Sequence, residues 1–190
     1  MNVKPGTRAL GIAESYRSGA NDSQLAGAVV RADRVVDGAG FGRCRVGGLD
    51  ATEAIVSLFD RLERPDVRYC LLGAIAPAWF NLVDLEVVAE ATDRPTIAVT
   101  VDASEGLEAG LEDAFDGADL QRRLERYRSL PPRQPIAVGE DTLWMRAVGI
   151  EHEAAATVIR AFTPERGPPE PIRVASVLAR AADRDGSAVG

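Results

Sequence analysis

Residues 8–15 read RALGIAES, a short apolar run that stops on a carboxylate, Glu14. Leu10, Ile12 and the small residues around them have the length and character of a buried strand. A carboxylate delivered to the end of such a strand must be paired, bound to a metal or neutralised, because burying it bare is costly. The first question put to the fold is therefore what Glu14 faces.

The order of the remaining elements fixes the fold class. A polar turn at residues 19–23 leads into a second strand at 25–31, and the turn chemistry predicts a hairpin. Residues 41–46, bounded by glycines, form a third strand. Asp50 then opens a helix as its N-cap, with Glu53 three residues on in the capping-box position. Ala54, Ile55, Leu58, Phe59 and Leu62 share one face of that helix. Residues 67–72 are an apolar strand. Residues 73–84, GAIAPAWFNLVD, read as a loop leading into a helix that runs to 91. Residues 95–100 are nearly all apolar, as in a central parallel strand. Helices are expected from 104, over 117–130, over 152–162 and over 171–182. Residues 131–135 act as a connector, 142–148 are a last strand, and the tail from 183 is expected to fray. Three hairpin-type strands followed by helix–strand–helix–strand predict an α/β fold. It is a ribonuclease H-like mixed sheet, with antiparallel strands one to three, then parallel strands, and helices on both faces. In that arrangement strand one is central, and its end lies close to the end of strand four.

Composition sets outer bounds. At 190 residues, one domain spanning 1–190 is expected, with chain enough for a real core. No apolar run approaches the ~20 residues needed to cross a bilayer, and the start has no apolar signal core, so the expected compartment is the cytoplasm and no membrane partner is expected. The net charge of −7 argues against indiscriminate nucleic-acid binding but leaves room for a local basic groove. Lys4 is the sole lysine among 22 basic residues. That skew suits a GC-rich genome, and with the acid excess it would suit a high-salt cytoplasm. Cys44 and Cys70 sit among apolar neighbours and read as buried free thiols. With His152 as the only histidine, a zinc site lacks ligands.

The stretches ALGIAES, GGLDAT, AWFNLVDL, VTVDASEGLE and PEPIRVASVLAR together resemble the archaeal family DUF99, also called UPF0215, over residues 4–181. That family is distantly similar to endonuclease V, which has a ribonuclease H-like fold and uses magnesium or manganese to cut nucleic acid beside deaminated adenine. The resemblance matches Glu14 to the strand-one aspartate of endonuclease V and sets Asp50 near its helix-opening glutamate. The third acid of the nuclease would fall at Leu72-Gly73-Ala74, which carries none. The wedge that prises out the damaged base has no counterpart, and the late histidine falls near Arg146.

The resemblance implies a divalent-metal-dependent nuclease acting on unusual or deaminated DNA or RNA. Its catalytic acids would be Glu14 and Asp50, and its metal ligands Glu14, Asp50 and Asp84, since hydrolysis of a phosphodiester needs carboxylates converging on hard cations. Innocent roles compete with each assignment. An N-cap aspartate is explained by its cap, Glu14 could pair with an arginine, and Asp84 could cap the helix it precedes. Substrate contacts are expected from Asn81 at a base or ribose edge, from Trp79 by stacking, and from Thr100 and Ser104 at the carboxyl edge of the parallel strand. The competing roles there are core packing and a helix cap at Ser104. Arg122, Arg123 and Arg126 read as a solvated, salt-bridged face more readily than as a phosphate site, and Arg173 as a tie between the last helix and the core. An alternative reading keeps the fold and the ligand but not the cutting, a nucleic-acid or nucleotide-binding protein. A weaker one pairs two copies as a homodimer through the apolar loop.

Overall fold

A computed structural model describes residues 2–101 and 106–185. The opening strands are β1 (Arg8–Ser15), β2 (Asp22–Arg31) and β3 (Val36–Arg45), followed by helix α1 (Ala51–Leu62) and strand β4 (Val67–Leu72). A single turn, α2 (Pro77–Phe80), and helix α3 (Leu85–Thr92) lead to β5 (Thr96–Thr100). The chain continues through α4 (Glu108–Ala114), α5 (Gly117–Ser129), β6 (Gln134–Val138), β7 (Asp141–Val148), α6 (His152–Phe162) and α7 (Glu170–Asp185).

The strands form one sheet in the order β3-β2-β1-β4-β5-β7-β6. β2 runs antiparallel to both β1 and β3, whereas β1, β4 and β5 are parallel. Strand one is thus central, as expected. Three details of the sheet differ from expectation. β3 begins at Val36 rather than at 41. The stretch read as a connector runs into β6, whose Pro135 is tolerated because β6 is an edge strand. β7 lies antiparallel to β5, not parallel, and pairs with β6 as a hairpin through the tight turn at Gly139 (φ 60°).

Side chains alternate across β1. Leu10 and Ile12 join Ile55 and Leu58 of α1 and Val88 of α3 on one face. Ala9 joins Val158, Ile159 and Phe162 of α6 on the other. α7 covers the second face over β1 and β2, and its backbone touches the sheet directly. A Cβ at Gly11 would lie 2.0 Å from the Pro171 carbonyl carbon. Only glycine permits that approach. The PEPIR stretch is anchored by this contact. Arg173 does not tie the helix to the core; it pairs with Glu170 one turn back and is half exposed. Residues 183–185 lie in α7, where Asp183 accepts the Ser15 hydroxyl at 3.3 Å, and the rest of the tail expected to fray lies outside the described residues.

Candidate active site at the carboxyl edge of the parallel strands

β1, β4 and β5 end side by side at Glu14, Leu72 and Thr100. Above them lies a cavity of about 280 Å³ whose walls include Glu14, Leu25, Leu72, Pro77, Thr100 and Ile172. Glu14 is the one charged side chain among its described lining residues. Its Oε2 accepts the hydroxyl of buried Ser23 at 2.6 Å, and the Ser15 carbonyl, 3.2 Å from the same hydroxyl, is the more distant alternative acceptor. No guanidinium lies within ion-pair distance of Glu14 among the described residues. Ser23 was not singled out in the sequence. The hairpin register, with Ser15 opposite Gln24, was the signal that could have found it.

Asp50 stands at the N-cap of α1 but does not cap it through its side chain, contrary to the capping-box reading. Its carboxylate turns back to the Arg45 N–H, at 3.1 and 3.2 Å, and to Asn81 Nδ2 at 2.7 Å. Asn81 does the capping. Its Oδ1 accepts the Ala51 N–H at 2.9 Å, while Nδ2 also donates to the Arg45 carbonyl at 2.8 Å. Asn81 is completely buried and spends both donors and its acceptor inside the protein, so here it positions Asp50 rather than presenting an edge to a base. Asp50 lies outside the described lining of the Glu14 cavity. Burial first, then the negative charges of Asp50, Glu14 and Asp22, push the Cys44 thiol up to about 12. Cys44 and Cys70 are both buried free thiols.

Asp84 takes the capping role. It accepts the Glu86 and Val87 N–H groups at 3.1 and 3.2 Å at the start of α3. It lies outside the described lining of the Glu14 cavity. The gap opposite the Leu72-Gly73-Ala74 turn is thus filled by neither Asn81 nor Asp84. Among the described residues, no three His, Cys, Asp or Glu side chains come together as a metal site. Ser104, expected in substrate contact, lies outside the described residues, as do Asp102 and Glu105.

The loop before α3 carries strain. Ala78, Trp79 and Phe80 have φ of 50°, 55° and 59°, a left-handed turn that costs roughly 1–2 kcal/mol per non-glycine residue. The turn leaves Trp79 47% exposed, with its ring against Gly47 of the GGLDAT stretch and 5.1 Å from the Phe115 ring. Strain of this kind persists only where the surroundings over-determine it, and it collects at functional sites. Behind this corner, α5 acts as a brace. Arg123 is 2% exposed, donates to the Gly47 and Gly48 carbonyls, and lies 3.9 Å over the Phe115 ring. Arg126 donates to the Leu49 carbonyl at 3.3 Å. Two of the three arginines on the helix read as a solvated face are therefore turned inward, and Arg122 remains outside.

The comparisons with known proteins give the family and the fold. The sequence pattern of the family described as Endonuclease dU matches residues 5–183. The chain belongs to the endonuclease dU family. A UPF0215 protein of Pyrobaculum aerophilum is 30% identical over 175 residues, covering 91% of this chain and 92% of its own length. A UPF0215 protein of Thermococcus kodakarensis is 31% identical over 186 residues, covering 94% and 93%. Among solved structures, an Archaeoglobus fulgidus protein of unknown function superposes with a TM-score of 0.82 at 23% identity, covering 92% of this chain and 96% of that one. Endonuclease V from Streptomyces avermitilis superposes with a TM-score of 0.65 at 18% identity, covering 98% and 86%. Endonuclease V from Ciona intestinalis, solved with a 24mer DNA containing an inosine followed by a ribo-adenosine, gives 0.63 at 13%, covering 94% and 87%. This endonuclease dU family chain thus has the ribonuclease H-like fold of endonuclease V. No helix among the described residues is long and apolar enough to cross a membrane.

Proposed function

We propose that this chain is a divalent-metal-dependent endonuclease acting on deaminated bases in nucleic acid, with uracil in DNA as its first substrate class. The observation that carries the reading is Glu14, one carboxylate held by Ser23 in a cavity at the joined carboxyl ends of β1, β4 and β5. Open α/β sheets bind their ligands at that edge. Family membership supports the substrate class, since uracil is deaminated cytosine, and the inosine DNA held by the Ciona endonuclease V carries a deaminated base as well.

The donor set fits magnesium or manganese. Both are hard cations that favour carboxylate oxygen, and magnesium usually takes only one or two protein carboxylates, leaving the rest to water and substrate phosphate. Glu14 would hold the ion, with Asp50 as the second acid. Such an ion supplies an activated water and neutralises charge on the leaving oxygen. Ser23 fixes the Glu14 carboxylate, and Asn81 with the Arg45 N–H fixes that of Asp50, so neither acid has to be ordered when substrate arrives. Trp79, half exposed on its strained turn, offers a flat face for a base.

A second reading has its own support. With no third acid beside Glu14 among the described residues, a protein that binds such nucleic acid without cutting it is the alternative. Incubation with matched DNA strands containing deoxyuridine, deoxyinosine or neither, with magnesium or manganese, separates the two. Cutting of a modified strand that exceeds cutting of the unmodified one supports the nuclease. Selective binding without product supports the binding protein.

A further inference from the structure

A second cavity, of about 240 Å³, adjoins the Glu14 cavity and shares Ala74 and Thr100 with it. Its far wall is built from Tyr127, Arg133, Trp144 and Arg146. Register brings these residues there. Trp144 of β7 pairs opposite Thr100, and Arg146 opposite Ala98, so one face of β7 continues the carboxyl edge of β5.

We propose that Arg146, with Arg133 beside it, forms a subsite for a backbone phosphate of the nucleic acid, next along the sheet edge from Glu14. The assignment rests on the nucleic-acid reading above and adds a residue pair to it. Arg146 is half-buried. Its guanidinium donates to the Pro131 carbonyl and, at 3.5 Å, to the Tyr127 hydroxyl, and it lies 5.4 Å from the centre of the Tyr127 ring. Those contacts orient it, but among the described residues no carboxylate lies within ion-pair distance to balance its charge. Burial, and then the like charge of Arg133, pull its pKa below the usual arginine value. Arg133 donates to the Thr100 hydroxyl at 3.1 Å and stacks 4.6 Å over the Trp144 ring.

Arg146 thus brings to the cavity a charge that no described carboxylate balances. A phosphate oxygen there would supply the missing negative charge and accept charge-assisted hydrogen bonds. The rings of Tyr127 and Trp144 give the adjoining sugar and base an apolar surface. On a chain of net charge −7, this positive site is local, so it would guide a strand to Glu14 without drawing nucleic acid everywhere.

The test is fluorescence anisotropy with a labelled, deoxyuridine-containing single strand of about 12 nucleotides. Chelator is present, so that neither metal nor turnover contributes. Wild type, Arg146→Met and Arg146→Lys are compared over a salt series, and melting curves establish that each variant is folded. The expected result is about tenfold weaker binding for Arg146→Met at low salt, with a logarithmic salt slope shallower by about 0.7, the loss of one phosphate contact on a single strand. Arg146→Lys recovers most of the slope, and a strand with an uncharged methylphosphonate backbone does not tell wild type from Arg146→Met. Wild-type affinity and slope in folded Arg146→Met overturn the proposal. So does an equal loss on the uncharged strand, or no binding by wild type. Should Arg146→Met fail to fold, Arg146→Gln carries the same expectation and the same contradiction. A wild type that binds but never cuts leaves the subsite standing and removes the nuclease. Cutting and binding unaffected by loss of the Arg146 charge do the reverse.

Discussion

Asn81 donates to Asp50 Oδ1 at 2.7 Å and accepts the Ala51 N–H at 2.9 Å, so one buried amide both caps α1 and holds the acid at its head. Asp50 is thereby freed from its own helix, and its carboxylate is fixed toward β3. Replacing Asn81 with Ala would leave the buried Ala51 N–H without its acceptor, while the Arg45 carbonyl would keep the Gly48 N–H at 3.1 Å. The expected cost is about 1–3 kcal/mol in urea unfolding, the cost of one unsatisfied buried group. A change below about 0.5 kcal/mol, the range of neutral surface substitutions, would show that the clamp does not matter to the fold.

Gly11 and Pro171 give a second stability prediction. A methyl group at Gly11 would sit 2.0 Å from the Pro171 carbonyl carbon and 2.2 Å from its oxygen, both backbone atoms. α7 would have to lift from β1. Gly11→Ala is expected to cost about 3 kcal/mol or more, at the upper end of overpacking effects, or to prevent folding. Gly6→Ala, where nothing lies within 4 Å, is the matched control and should be near neutral in thermal melts.

These two residues also mark how far the sequence could be read. The strand carrying Glu14 and the helix after Asp50 follow from periodicity and turn residues, because each is a local signal reinforced by burial, whereas the central place of β1 follows from the ribonuclease H-like order of the elements. Gly11 looks like any small strand residue until a helix from the far end of the chain is laid on it. Asp50 satisfied the rule for an N-cap, yet its cap is made by Asn81, thirty-one positions on, and no local rule carries that distance. β6 was hidden by Pro135, which breaks a central strand but not an edge one. The arginines of α5 alternate with acids as a solvated face would. Arg123 is nonetheless buried, because the carbonyls of Gly47 and Gly48 need a donor from outside their own loop.

Trp79 is held out to solvent by a left-handed turn while its neighbours Phe80 and Phe115 form the cluster beneath. If that ring receives a base, Trp79→Ala should weaken binding of a deoxyuridine strand by about five- to a hundredfold, the range of one lost stacking contact. Trp79→Phe should recover part of it. Equal affinity of Trp79→Ala and wild type in the same anisotropy titration would return Trp79 to a packing role.

At the opposite end of the strands, Arg64 beside Asp66 holds the Asp66 carboxyl down at about 2, against 3.8 for a free aspartate. Because the folded-state value is the lower one, the stabilisation is complete above about pH 4 and is lost as pH falls toward 2. Asp66→Asn should flatten the stability profile in that window and leave the proposed strand cleavage at neutral pH unchanged. The pair is well exposed, so the effect should stay under about 1 kcal/mol. A profile for Asp66→Asn that still falls as steeply as that of wild type would assign the acid sensitivity elsewhere.

The measurement that bears most directly on the central claim is strand cleavage by Glu14→Gln, which keeps the size of the side chain and an acceptor for Ser23 but removes the charge. With a deoxyuridine-containing strand and magnesium or manganese, wild type should give discrete products. Glu14→Gln should be at least about a hundredfold slower at an unchanged melting temperature, since charge stabilisation of this kind is worth several kcal/mol. Cleavage by Glu14→Gln at the wild-type rate would contradict the account.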